Sequence, residues 1–429
     1  MKITRRQHVV PWYAASRLLL ILLALNTLPY FNRRAITGDV ELYHQWITQS
    51  FDHGAYPLDD QKWQYPPGAA GPLLLPHWLP GSYFVLFFLM CLAADAAVFG
   101  LVLRAARRAD PRKPSPAGPW LWTLGVAAIG PMAYGRYDLV VTAVAVAALT
   151  VTPRSKRATA VARGVLIGVG TFVKLWPAAL LFGAPKRTNG RLLVGGIQVE
   201  SVFATPFLVG KWFGWSGTVG ITNFGAYEYS GPGVAAAGKA ALVMTAVGFG
   251  VLLLIRWRAA ARGGFPFPAM LADVAFAAVL VAVVTSRVLS PQYLVWLLGV
   301  AAVCLTRRDT LMRRPAWLVL GAVSVTQLIF PLFYHSLRGG QIYSGLILLG
   351  RNGLLVAAAV LAVRALWQAT GTSGLLLQQD PGTVRLGQDV GAPLDGEVLG
   401  GGAEDRPEPL VHRVGRTGRR RADRLVEGD

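Results

Sequence analysis

Long apolar stretches, separated by short polar and basic segments, run through most of the chain. About 20 apolar residues cross a hydrocarbon core, so the pattern predicts spans near 12–31, 83–103, 119–134, 139–151, 191–210, 236–255, 269–286, 292–306, 315–335 and 341–363. One further apolar stretch, GVLIGVGTFVKLWPAALLFGAP (164–185), carries basic runs on both flanks, TPRSKRATAVAR and PKRTNGR. A single crossing cannot place both flanks on one side. A broken hairpin turning near Lys174–Pro177 can, because proline interrupts a helix and a lysine at membrane depth marks a functional break. Counted as two short helices, it brings the total to about 10–12 membrane segments in an all-α polytopic protein.

Composition agrees with this pattern. Of 429 residues, 53% are hydrophobic and only 15% charged, against about 25% charged in soluble domains. The formal charge of +20 would point to nucleic acid in a soluble protein. Here the cations fall in short runs between apolar segments, as the positive-inside rule expects of cytoplasmic loops. The expected partner is therefore the lipid bilayer and not nucleic acid. The expected location is the plasma membrane, multi-pass, with both termini cytoplasmic.

The basic, then apolar N-terminus reads as a retained first helix, since no small-x-small cleavage site follows Leu28 to Phe31. Residues 1–370 form the expected membrane domain, with a first extracytoplasmic loop at about 32–82. Residues 371–429, rich in Gly, Pro and charge, read as a disordered cytoplasmic tail. Cys91 and Cys304 both fall in apolar stretches with no metal-ligand spacing.

The topology places the acid-rich, aromatic-rich loop GDVELYHQWITQSFDHGAYPLDDQKWQYPPGA outside. Asp39 stands at its start, as an N-cap carboxylate or a reactive one. In YGRYDLVV, Arg136 and Asp138 share a tight outer turn, either pairing with each other or presenting Arg136 to an anionic head held by Asp138. Lys174 sits at the membrane break and needs a partner. In SRVLSPQYLVWLL, Arg287 offers either a fork of donors for phosphate oxygens or a snorkelling cation. Asp95 and Asp273 read as buried hydrogen-bonding partners, and Arg351 as a cation whose internal partner the sequence does not identify. No Walker loop, GxGxxG or HExxH stands in a supporting context, so no cofactor is expected. There is no internal repeat or matched pair of interrupted helices of the transporter kind.

GAYP and YPPGA after Asp39, then GRYDLVVTAVAVAAL, GTFVKLWPAALL and SRVLSPQYLVWLL, together resemble the glycosyltransferase family 87 membrane proteins of actinobacteria, of the GT-C fold class. The likeness covers roughly residues 15 to 365. It implies a GT-C-type bundle that transfers a sugar, typically mannose, from a polyprenyl-phosphate donor to a lipid or glycan hydroxyl on the extracytoplasmic face, with inversion. It implies a general base in the first outer loop, the position held here by Asp39. Arg287, Lys174 and Arg136 become the candidates for the donor phosphate. Tyr43, Trp46, Trp63, Tyr65, Gln292, Tyr293 and His335 become the candidates for the sugar and polyprenyl groove. Asp59-Asp60 makes no DxD motif at the base, so no metal is expected. An arabinofuranosyltransferase of the same fold, a transporter or lipid flippase, and a catalytically silent scaffold are the alternatives.

Overall fold

The computed structural model describes residues 9–25, 27, 34–153, 155–174, 176, 196–222, 225–262 and 270–377. The first helices are α1 (Val9–Ala24), α2 (Arg34–Gln49), α3 (Ala70–His77), α4 (Tyr83–Ala109), α5 (Ala117–Ile129), α6 (Asp138–Thr150) and α7 (Lys156–Val173). A small sheet with an embedded helix follows: β1 (Ile197–Gln198), α8 (Thr205–Trp212), β2 (Thr218–Ile221) and β3 (Tyr227–Ser230). The chain continues through α9 (Val234–Ala261), α10 (Met270–Thr285), α11 (Tyr293–Cys304), α12 (Arg313–Gln327), α13 (Tyr334–Arg338) and α14 (Ile342–Leu377). This is an all-α polytopic membrane fold with only a three-stranded antiparallel sheet, ordered β1-β3-β2, added to it.

Four helical stretches are long and apolar enough to cross a bilayer: Tyr83–Ala109, Val234–Ala261, Arg313–Leu332 and Ile342–Thr370. Shorter apolar helices, including α5, α6, α10 and α11, pack among them. Nearly every side chain of α10 and α11 is buried, which makes this pair the centre of the bundle. Cys91 and Cys304 are buried and unpaired.

Antiparallel succession sorts the connections into two ends. At one end the basic loops meet: Arg108 donates to Thr152 (2.6 Å), Arg308 to the Lys113 carbonyl (3.4 Å), and Arg262 to the Thr370 carbonyl (2.9 Å). Asp273, at the start of α10, accepts from Thr310 and the Leu311 amide there, the buried bonding role expected of it. At the other end lie the first loop, the α5–α6 and α10–α11 turns and the sheet, where the Gln198 amide donates to the Arg287 carbonyl (3.0 Å).

One sequence expectation needs correction. The span placed at 191–210 does not form: from Gly196 the chain runs through β1, a turn and a 3-10 turn into the eight-residue α8. Its apolar residues instead build a second core, in which Ile197, Leu208 and Tyr229 pack with Leu337 and Leu348. The first loop is structured as expected, and its opening is the regular helix α2, which begins before Asp39 and not at it. Ile36, Val40, Tyr43 and Ile47 are all buried, and that spacing lines one face of a helix.

The break at Lys174 appears as expected, since α7 ends at Val173 and Lys174 takes an extended conformation (φ −155°, ψ 134°). The second half of the proposed hairpin, 178–195, lies outside the described residues. Helix α14 continues past 370 to Leu377, and the remainder of the proposed tail, 378–429, also lies outside them.

Candidate active site

Helix α2 carries Asp39 on the flank of its buried face. Asp39 is therefore inside the helix and not at its N-cap, the other role open to it. Its carboxylate forms an ion pair with Arg136, which follows a 3-10 turn at Pro131–Gly135. The contact lies off the guanidinium N–H direction, and Arg136 Nε and Nη1 are buried without a hydrogen-bond partner among the described residues. The Arg136 carbonyl accepts from Cys91 Sγ (3.4 Å). Cys91 is eight residues into α4, so at 1.5 Å rise per residue this turn sits about 12 Å below the helix end. The site is sunk into the bundle.

Arg136 and Asp138 do not pair with each other. Asp138, first residue of α6 and buried, accepts from Lys174 Nζ (2.8 Å) and from Trp296 Nε1 (2.6 Å). Lys174 thus has its partner, and the break after α7 is anchored to α6 and α11 through one carboxylate. The rings of Tyr65, Tyr137, Tyr293 and Trp296 surround Lys174 Nζ at 5.0–5.8 Å from their centroids. Aromatic faces attract a cation at this range. Asp138 occupies one of the three ammonium donors.

Tyr293 and Trp296 stack at 4.1 Å between centroids, and Trp296 stacks on Trp176 at 5.2 Å. Below this three-ring stack opens a cleft lined by Trp176, Val279, Ala282, Val283, Ser286 and the stacked rings of α11. Its wall is apolar. Lys174 lies against two of the lining rings, Tyr293 and Trp296, and Arg287 follows the lining residue Ser286 in sequence. Gln292 immediately precedes α11, and Ser290 nearby accepts from Gln198 Nε2 (3.2 Å).

The first loop closes over the site with a ring cluster. Tyr43 packs against Trp46, Tyr65 and Tyr137, while Trp63 packs edge-on against Trp46 and Tyr65. Asp60 is structural: it accepts from Trp46 Nε1 (2.7 Å) and the Lys62 amide (2.9 Å). Partial burial pushes its carboxyl up, but these N–H donors and the Lys62 charge outweigh that and hold it below the usual range. Glu41 and Asp59 are exposed. Among the described residues no group of three His, Cys, Asp or Glu side chains gathers.

His335 is exposed on α13, and among the described residues no ring contact joins it to the cluster around Lys174. Its neighbour Tyr334 packs on Tyr227 of the sheet. Two deeper polar assemblies hold the frame. Asp95 accepts from Arg17 Nε (2.8 Å) and Nη2 (2.9 Å), Trp122 (2.8 Å), Tyr134 (2.9 Å) and Tyr13 (3.1 Å), joining α1, α4, α5 and the turn before Arg136. Arg351 finds its partner in Glu200 (3.1 Å). At the sheet, burial raises the Glu228 carboxyl, opposed by the Gly196 amide and by Arg287. Burial likewise lowers the Arg287 guanidinium, opposed by Glu228.

Sequence reading missed Asp138 as the residue holding Lys174, and missed Trp296, Trp176 and Tyr137 altogether. A signal was present for one of them, since Tyr293 and Trp296 are spaced i, i+3 and so share one helix face.

The assembled site combines a half-exposed carboxylate, two cations each paired to a carboxylate, and an apolar cleft. No curated protein and no solved structure matches the chain. The pattern of glycosyltransferase family 87 matches residues 63–291, a narrower range than the motifs suggested, including Arg136, Lys174 and Arg287 but beginning after Asp39. That range is more than half of the 429 residues, and the chain belongs to glycosyltransferase family 87 as a membrane glycosyltransferase.

Proposed function

We propose that the protein transfers a sugar, most readily mannose, from a polyprenyl-phosphate donor to a lipid or glycan hydroxyl, with Asp39 as general base. The observation that carries this reading is the contrast between the two carboxylates of the site. The Asp39 side chain is 35% exposed, whereas that of Asp138 is 2% exposed and engaged by Lys174. Only Asp39 can meet an incoming hydroxyl. As the acceptor oxygen bonds to the anomeric carbon from one side, its proton passes to Asp39. The bond to the phosphate oxygen breaks on the other side, inverting the centre, and the electron pair leaves on the phosphate.

The departing phosphate gains charge, and fixed cations stabilise it in a site sheltered from water. On this reading Arg136 and Lys174 supply those cations, with Arg287 as the third candidate. The apolar cleft under the Trp176–Trp296–Tyr293 stack suits the isoprenoid chain. The basic end of the bundle faces the cytoplasm by the positive-inside rule, so transfer occurs on the extracytoplasmic face of the plasma membrane, with both termini inside. A flippase built on the same cations would form no glycosidic bond. Purified protein incubated with radiolabelled polyprenyl-phosphate mannose and an envelope extract should give a labelled, inverted product. Asp39→Asn should abolish it while the protein stays monodisperse, and undiminished transfer by that variant removes Asp39 from the role.

A further inference from the structure

Two glycines outside the reacting groups lie where the first loop touches the backbone bearing the cations. Gly135 directly precedes Arg136. A Cβ on it would run into the Ile36 carbonyl oxygen and stand 3.0 Å from the carbonyl carbon. Ile36 lies three residues before Asp39 on α2. Gly68 lies in the 3-10 turn Pro67–Ala69, three residues after Tyr65. A Cβ there would sit 2.6 Å from the Phe172 carbonyl oxygen and 2.7 Å from its carbonyl carbon, two residues before Lys174.

At Gly135 the obstacle is backbone alone; at Gly68 it is the Phe172 ring and, behind it, the Phe172 backbone, which cannot swing aside as the ring could. Neither glycine has a left-handed φ, so what each supplies is space and not conformational freedom. Gly38 and Gly71 belong to the same loop, one on α2 and one on α3, and a Cβ on either meets nothing within 4 Å. Other glycines of the bundle are also tightly packed, Gly118 against the Ala302 carbonyl among them, but Gly68 and Gly135 are the two that abut the segments carrying Lys174 and Arg136.

We infer that Gly68 and Gly135 are positioning residues that seat the first loop on these two segments, Gly135 setting Asp39 against Arg136 and Gly68 setting Tyr65 over Lys174. The inference rests on the reading of Asp39 as base and of the cations as donor-phosphate ligands. A misplacement of about 1 Å costs on the order of 100-fold in rate. Gly135→Ala should therefore lower kcat at least about tenfold with the donor KM little changed. Gly68→Ala should act mainly on the donor, raising its KM.

The test compares Gly68→Ala, Gly135→Ala, Gly38→Ala, Gly71→Ala and Asp39→Asn as purified full-length proteins in one radiolabelled transfer assay. Loss in the first two with the kcat and KM split, beside wild-type kinetics in Gly38→Ala and Gly71→Ala, supports the seating. Equal effects in all four glycine variants, or a matched loss in kcat and KM, overturn it. Asp39→Asn separates the two readings: wild-type transfer by that variant sinks the base assignment. An inactive Asp39→Asn beside fully active Gly68→Ala and Gly135→Ala sinks the seating alone. Should either alanine variant fail to fold, hydrogen exchange on the unmodified protein decides. Amides 36–43 as slow as the core of α4 support a seated loop, and exchange as fast as an exposed turn overturns it.

Discussion

Asp39 on α2 and Arg136 ahead of α6 form an ion pair that joins the first loop to the membrane bundle. Arg136 Nη1 is buried without a partner among the described residues, and on the proposed reading it is the donor phosphate that would take up this guanidinium. Arg136→Gln should reduce sugar transfer by about 100-fold, the usual cost of removing one charge-stabilising donor. Steady-state transfer rates check it. An equal loss of monodisperse protein would instead mark Arg136 as structural.

Asp138 and Lys174 form the buried pair of the site. Removing one partner strands the other charge, at a cost of about 3–5 kcal/mol, whereas replacing both with apolar residues is far milder. Asp138→Leu and Lys174→Met should each lower the thermal midpoint strongly, and the double variant should be more stable than either. Both measurements are accessible by thermal unfolding in detergent. Additive losses would show that the pair is not the unit.

Much of this frame was legible in the sequence because hydropathy and cation placement act locally. The starts of α4, α9 and α14 and the stop before Lys174 follow from apolar length and one Lys–Pro interruption, while these three helices run 6, 6 and 14 residues past the expected spans into polar and basic sequence. The partners of the charges were not legible, because they depend on how helices far apart in sequence pack. The Arg136 and Asp138 side chains, two residues apart, each pair with a residue from another segment. Arg351 pairs with Glu200, 151 residues away in the chain. The span expected at 191–210 failed for a related reason: its apolar residues serve a compact core against the sheet, and hydropathy alone does not distinguish that burial from contact with lipid.

The aromatic stack over the cleft should read the length of the donor chain. Trp176→Ala removes one ring of the stack and opens the apolar wall. It should raise KM several-fold for a long polyprenyl-phosphate donor and much less for a short-chain analogue, since each buried CH₂ contributes about 0.8 kcal/mol. A KM change equal for both chain lengths would place the isoprenoid elsewhere.

Glu228 supplies a pH-dependent contribution to stability away from the membrane core. Burial raises its carboxyl in the folded state, with the Gly196 amide and Arg287 only partly opposing. A raised folded-state value means the folded protein binds this proton more tightly than the unfolded chain, whose glutamates titrate near pH 4.3. The stabilising contribution is therefore complete below that pH and is lost as pH rises through the folded value. Glu228→Gln, which keeps the shape of the protonated acid, removes this loss. Its thermal midpoint relative to the unmodified protein should climb between about pH 4 and pH 8. A difference that stays flat or falls over that window would mean that Arg287 and the Gly196 amide more than offset burial.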